Sequence, residues 1–205
     1  LDIDFWLPYA DMGHLLKFYS PEQSLSTPYL KADKDKIRFW DKRLCKDKIR
    51  VGFAWRSGLL NPRRMRNYTY LSDWTEIIQD SRFQLICLQY GDILEDLDEL
   101  DDELKSKIYI PDIDLKNDFD DISAVMANCH AVFGPFGAPV WQSSALGVKT
   151  VVCNLQGYDN FSFGRAQSES GEYQNPWYAN CSHVMFRQSD KKSLVRKVKK
   201  VLLHA

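Results

Sequence analysis

Short apolar runs alternate with amphipathic stretches along most of this chain, and the alternation predicts its architecture. Lys48–Trp55 (K-I-R-V-G-F-A-W) and Phe83–Gln89 (F-Q-L-I-C-L-Q) are rich in β-branched and aromatic residues and read as strands. Ile108–Ile110, the run from His130 to Gly134, Thr150–Cys153 and His183–Arg187 read as further strands. Helical spacing fills the intervals. Asp33–Leu44 carries Ile37, Trp40 and Leu44 on one face. A helix opened by Ser72 or Asp73 runs through Gln79, and the acidic run Glu95–Lys105 reads as another. Phe119–Cys129 has acids in its first turn, which suits the helix dipole. A small-residue helix stops at Gly147, and Lys191–Leu203 is basic and amphipathic.

Strands alternating with helices at this spacing predict an α/β fold, a mostly parallel sheet with helices on both faces. Its crossovers should be right-handed, and ligands should bind beyond the carboxyl ends of the strands. The loops expected on that edge are Arg56–Tyr70, Tyr90–Leu94, Pro111–Asp118, Gly134–Pro139 and Asn154–Asn175. Residues 1–47 differ from the rest. They read as a linker or the remnant of a preceding domain ending in an amphipathic helix, with the main domain over 48–205.

Composition narrows the picture. The chain has 205 residues, 44% hydrophobic and 27% charged, with a net charge of −1. There is no global pull toward nucleic acid, and no long apolar stretch predicts a membrane span. The five cysteines (45, 87, 129, 153, 181) are widely spaced and without C-x-x-C. That suggests neither zinc nor a disulfide framework and fits a reducing, cytoplasmic setting. The opening residues read as mid-protein, so the chain is expected to be a piece of a longer protein. A domain cut from a larger enzyme exposes apolar surface, which makes a homo-oligomer an open expectation.

Three segments carry candidate chemistry. In Gly134-Pro135-Phe136-Gly137-Ala138-Pro139 a strand passes through glycines into a helix. Such a turn can hold a phosphate on backbone N–H groups, or can simply need glycine geometry. Gln142 is placed to face the cleft, with Ser143 and Ser144 on the first turns of the helix. The second segment, W-R-S-G-L-L-N-P-R-R-M-R-N-Y, puts Arg56, Arg63, Arg64 and Arg66 within eleven residues beside Ser57 and Gly58. Guanidinium groups suit bidentate phosphate contact, and the alternative is a solvated basic loop. Only one of the adjacent Arg63 and Arg64 is expected to point inward. In the third, D-I-D-L-K-N-D-F-D-D, Lys116 sits before a helix where it can neutralise a diphosphate. Asp118 or Asp120 reads as a cap, and nothing fixes the octahedral geometry of a Mg²⁺ site. His130 and His183 begin strands and read as structural. Trp141, Trp177 and Tyr178 read as core, with base stacking as the alternative. No nucleophile elbow or Ser-His-Asp order is present.

Together these motifs resemble a family. From Tyr29 onward the chain is similar to the C-terminal part of bacterial tetratricopeptide-repeat proteins that end in a glycosyltransferase-like domain. The matching segments are P-Y-L-K-A-D, V-G-F-A-W-R-S-G, N-Y-T-Y-L-S-D-W, L-Q-Y-G-D, D-L-K-N-D-F-D-D-I-S-A-V-M-A, A-L-G-V-K-T, N-P-W-Y and F-R-Q. The resemblance implies the Rossmann-like C-terminal half of a GT-B glycosyltransferase, distantly similar to heptosyltransferases and protein O-glycosyltransferases. It implies transfer of a sugar from a nucleotide diphosphate sugar to a protein or glycan acceptor, without a metal or other cofactor. By position, the diphosphate meets Gly134, Pro135, Phe136, Gly137 and Ala138. Arg56, Ser57 and Gly58, with Arg64 and Arg66, line the cleft. Lys116 approaches from the third loop, and Tyr90 and Gly91 border the base. In one place the chain departs from the pattern. Heptosyltransferase-like relatives often carry D-T-x-x-x-H at the glycine turn, and those polar positions fall here at Phe136, Gly137 and Trp141. Either backbone and arginines alone hold the donor, or the domain is a non-catalytic nucleotide- or protein-binding descendant. No catalytic residue is assigned.

Overall fold

The computed structural model describes residues 28–58, 62–155, 166–167, 173–175 and 178–205. The expectations for residues 1–27, for Trp177 and for most of Asn154–Asn175 lie outside them, as do the side chains of Arg63 and Arg64. Eight strands are described: β1 (Ile49–Phe53), β2 (Phe83–Cys87), β3 (Ile108–Tyr109), β4 (Ala131–Pro135), β5 (Lys149–Leu155), β6 (Ala166–Gln167), β7 (Tyr173–Gln174) and β8 (Cys181–Phe186). They form one sheet in the order β3-β2-β1-β4-β5-β8-β7-β6. The first six positions in that order pair in parallel, whereas β6 and β7 join the β8 edge antiparallel. The chain winds outward from β1 to β3, returns beside β1 as β4, and winds outward the other way. The switch between β1 and β4, with Phe53 opposite Phe133, is where doubly wound sheets open a crevice.

The helices are α1 (Lys34–Asp41), α2 (Pro62–Met65), α3 (Thr75–Ile78), α4 (Leu94–Asp98), α5 (Asp102–Ser106), α6 (Phe119–Ala127), α7 (Ala138–Ala145) and α8 (Lys191–Leu202). Alternation along the strands divides them between two layers. Val51, Phe53 and Trp55 face one layer, where Trp74, Ile77, Leu100, Leu104, Leu194 and Val198 cover them. Ile86, Leu88 and Val132 face the other, under Trp40 of α1 and Ile122, Val125 and Met126 of α6. The helix expected to lead into the domain thus packs on the sheet. Trp40 Nε1 donates to Asp121 Oδ1 at 2.8 Å, and Lys36 pairs with the same carboxylate. Ahead of α1, the amides of Tyr29 and Leu30 both donate to the Ala145 carbonyl at the end of α7. Pro28 fills the space beside Gly147, whose φ of +80° and missing Cβ admit it.

The acidic run is not one helix. The first segment closes at Glu99 and Asp101 caps the second, its carboxylate accepting from Leu104 N–H, so α4 and α5 are separate helices. Nor do Ser72 and Asp73 cap a helix. A 3₁₀ turn over Leu71–Trp74 precedes α3, and Asp73 accepts from the Tyr70 amide. Strand β1 is shorter than the apolar run because Trp55 turns its amide to Gln89. The last parallel strand starts at Cys181, earlier than the apolar pattern indicates. All five cysteines are free. Burial pushes the thiols of Cys87 and Cys129 up to about 12 and that of Cys181 to about 11. No described helix is long and apolar enough to cross a membrane.

Asp80 fastens the two-turn segment containing α3 to α8. It receives both Arg82 Nε and Nη2, and Lys199 Nζ lies 3.1 Å away. Arg82, then Lys199, hold its carboxyl well below the usual carboxylate range against the opposing effect of burial. A depressed folded pKa contributes stability that is present above the unfolded value of about 4 and is lost as pH falls through the folded value. Asp80→Asn is therefore expected to lower Tm at neutral pH and to flatten the fall of Tm below about pH 4. A variant melting with the wild-type acid slope would contradict this account.

Candidate functional site

Two cavities open at the carboxyl edge of the sheet beside the switch point. The smaller, about 210 Å³, lies between the end of β2, the start of α6 and the start of α7. Its wall is mostly apolar: Leu88, Leu115, Phe119, Ile122, Met126 and Pro139. Its polar groups are Tyr90, Lys116 and Gln142, and Ala138 completes it. Four of the residues singled out in the sequence thus converge on one cleft: Tyr90, Lys116, Ala138 and Gln142. Phe119 stands at the mouth with 58% of its surface exposed.

Each polar group is positioned by a separate device. Asp114 accepts from the amides of Lys116 and Asn117 and from the Asn117 side chain, a turn that presents Lys116 ahead of α6. Asp118 caps α6 through the Asp121 amide. Gln142 donates to Phe119 O at 3.1 Å and to Ser123 Oγ at 2.7 Å, clamping α7 against α6. Gly91 turns the chain after Tyr90 with φ of +89°, a conformation that favours glycine. Gly58 leaves room for the Tyr90 ring, since a Cβ there would lie 2.5 Å from Tyr90 Cε2.

The glycine turn divides. Gly134 and Pro135 are buried residues of β4, so the strand runs one residue beyond the end expected for it. Gly134 has a packing reason: a Cβ would lie 2.9 Å from the Ala54 carbonyl oxygen. Gly137 stands in open space, with nothing nearer its missing Cβ than 3.8 Å, and opens α7. The Trp141 amide already bonds the Gly137 carbonyl and Pro139 has no N–H, which leaves Ala138 and Val140 as first-turn donors. Phe136 and Trp141, half-buried, pack edge-to-face with ring centroids 5.8 Å apart, and Trp141 meets Tyr178 in the same way. Ser143 and Ser144 are buried and bond within the fold, to Val140 O and Thr150 Oγ1, away from the cleft.

The larger cavity, about 470 Å³, lies between the loop after β1 and α4. Arg56, Gly58 and Gly91 line it together with Asp92, Glu95, Asp96 and Glu99. Arg56 is not directed at α7. Its Nε lies 3.1 and 3.0 Å from the two Asp96 carboxylate oxygens, and Nη2 donates to Asp96 Oδ2 and to the Asp92 carbonyl at 2.5 Å each. The two side chains are 15% and 13% exposed. Asp96 raises the Arg56 pKa above its ordinary value, against burial. Buried Gln89 joins the two cavities: its Oε1 accepts from the amides of Trp55 and Arg56, and its Nε2 donates to Tyr90 O. Ser57 is half-buried and lines neither cavity. Arg66 is exposed and lines neither cavity, its carbonyl receiving Gln188. His130 accepts from the Arg50 amide, a structural role. Among the described residues no group of His, Cys, Asp or Glu is arranged to hold a metal ion.

Sequence reasoning missed Gln89, Asp96 and the apolar wall. Phe119 and Met126 carry the ordinary signature of an amphipathic helix, and only tertiary placement turns that face to a cleft. The pairing of Arg56 with a residue forty positions on has no local signal.

No protein-family model matches the chain. Over 180 residues it is 28% identical to Protein FlbA of Caulobacter vibrioides, covering 85% of this chain and 28% of that protein. Among solved structures it is similar to ADP-heptose lipopolysaccharide heptosyltransferase II of Escherichia coli, with a TM-score of 0.61 and 14% identity over 89% of this chain and 55% of that one. A glycosyl transferase family 9 structure from Veillonella parvula follows at a TM-score of 0.58, with 11% identity over 100% of this chain and 63% of that one. The chain therefore spans a quarter to two-thirds of the length of the proteins it matches. What these likenesses establish is the fold: a Rossmann-like α/β sheet of the kind found in GT-B glycosyltransferases.

Proposed function

We propose that this chain is the nucleotide-binding half of a glycosyltransferase that takes its sugar from a nucleotide diphosphate sugar. The observation that carries the reading is the convergence of Tyr90, Lys116, Phe119, Ala138 and Gln142 on one cleft beside the switch point. The apolar wall suits a nucleobase, with Phe119 as a stacking surface. Lys116 and the first turn of α7 supply positive potential for the diphosphate at the carboxyl edge. In such a reaction the leaving nucleotide accumulates charge, and fixed donors there stabilise it without reorganising. Arg56 is not among them while it is paired with Asp96. The acceptor, a protein or glycan, and the general base belong to the rest of the longer protein, in which a repeat-bearing segment upstream is part of this reading. A reducing, cytoplasmic setting suits the five free thiols.

A second reading, a descendant that binds a nucleotide or a protein partner without catalysis, is favoured by one observation. Phe136 and Trp141 pack edge to face at the positions where the resemblance to heptosyltransferases implies an acid and an imidazole. Titration of UDP, GDP and ADP by calorimetry tests the binding that both share. Lys116→Gln is expected to weaken the diphosphate that binds by roughly 10- to 100-fold, the worth of a charge-assisted hydrogen bond. Phe119→Ala should weaken it by roughly 5- to 100-fold through lost stacking, with Tm unchanged in both. Binding of no nucleotide, or wild-type affinity in both variants, would sink the proposal. Sugar transfer by the full-length protein, or its absence with binding intact, separates the two readings.

A further inference from the structure

The layer that covers Val51 and Phe53 is electrically polarised from end to end. At its β8 end, α8 carries six cations. Lys191 and Lys199 turn inward to Asp73 and to Glu76 and Asp80. Lys192, Arg196, Lys197 and Lys200 are exposed and have no carboxylate partner among the described residues. Positions 192, 196 and 200 recur every fourth residue and form one stripe. At the β3 end of the same layer, Glu95, Asp98, Glu99, Asp101, Asp102 and Glu103 are exposed on and between α4 and α5, offset locally by Lys105 and Lys107 and, toward Glu95, by Arg56. Between the ends, α3 and the turn before it expose Ser72, Glu76 and Gln79 rather than an apolar patch.

We propose that this layer is a self-association surface on which a second copy of the chain docks, α8 of each copy against α4–α5 of the other. The two patches lie at opposite ends of one face, so a two-fold axis through α3 brings acidic and basic ends together twice and closes the assembly. Complementary charge within one chain favours a second copy over a foreign anion, because the same contact then satisfies both patches. With a net charge of −1 no bulk repulsion opposes it. Exposed pairs contribute little each and are screened, so the dimer is weak and salt-sensitive.

Sedimentation velocity on this chain at ~0.05 M and ~1 M salt reads the effect directly, since the Debye length falls to about 3 Å at the higher value. A concentration-dependent dimer at low salt, lost at high salt, is expected. Lys192→Glu/Arg196→Glu/Lys197→Glu/Lys200→Glu should be monomeric at low salt, and so should Glu95→Lys/Asp98→Lys/Asp102→Lys/Glu103→Lys. An equimolar mixture of the two should associate. If either reversed chain loses its circular-dichroism melt, neutral Gln and Asn versions replace it, with loss of the dimer again expected. A wild-type monomer at low salt, a dimer unaffected by either set, or reversed variants that ignore one another would overturn the proposal. Binding of the wild-type monomer to anionic vesicles without self-association would overturn it equally.

Discussion

Replacing Arg56 with alanine is expected to destabilise the protein by about 3 kcal/mol, the low end for breaking an enclosed ion pair. The guanidinium and the Asp96 carboxylate are mostly withdrawn from water, and removing one leaves the other uncompensated. For a chain of this size the loss corresponds to a fall in Tm of roughly 6–12 °C. Asp96→Ala should behave alike, stranding the cation against the Asp92 carbonyl. The double variant should recover part of the loss, because no buried charge is then left alone. Additive losses in that cycle, or an Arg56→Ala variant melting like the wild type, would show that the pair is solvated and worth little. The same cycle bears on ligand binding. A guanidinium held by two oxygens of Asp96 is not a resident phosphate ligand, so nucleotide affinity corrected for stability should change little in Arg56→Ala.

The second large effect concerns Gly134. A Cβ there would sit 2.9 Å from a main-chain oxygen of Ala54, and no side-chain rotamer can relieve that contact. Gly134→Val adds two further methyl groups between β1 and β4. The expected cost is about 2–3 kcal/mol from overpacking, with the two strand ends forced apart at the switch point. Both cavities are built on those ends, so amide exchange should rise first at Ala54–Arg56 and Gln89–Gly91. Gly137→Ala is the control, since its Cβ finds open space and its φ of 177° is extended backbone. Equal effects of the two substitutions would refute the packing account of Gly134.

These two glycines mark where the sequence could be read and where it could not. The α/β alternation needed only local periodicity, and the parallel sheet, both layers and the helix opening at Gly137 follow from it. Gly134 and Gly137 look equivalent in the motif, yet one packs against a neighbouring strand and the other faces open space, a distinction made by a residue eighty positions earlier. Arg56 was legible as a cation on the ligand edge but not as a paired one, because its partner is on a different loop. Strands β6 and β7, two residues each, are too short to leave a period, whereas β3 falls within the apolar run Ile108–Ile110. The apolar wall of the smaller cavity was hidden for a different reason: Ile122 and Met126 also belong to the core, and only Phe119 spills out of it.

The strap at Pro28–Leu30 gives the cleft a mechanical neighbour. Helix α7 is eight residues long, about 12 Å from end to end. Its first turn borders the cleft, and its Ala145 carbonyl holds the strap, while Tyr29 reaches Tyr178 at 2.7 Å and through it the Trp141 ring. A short helix moves as a rod. A displacement of the chain at Pro28 would therefore be felt, one rod-length away, at the amides of Ala138 and Val140 that border the cleft.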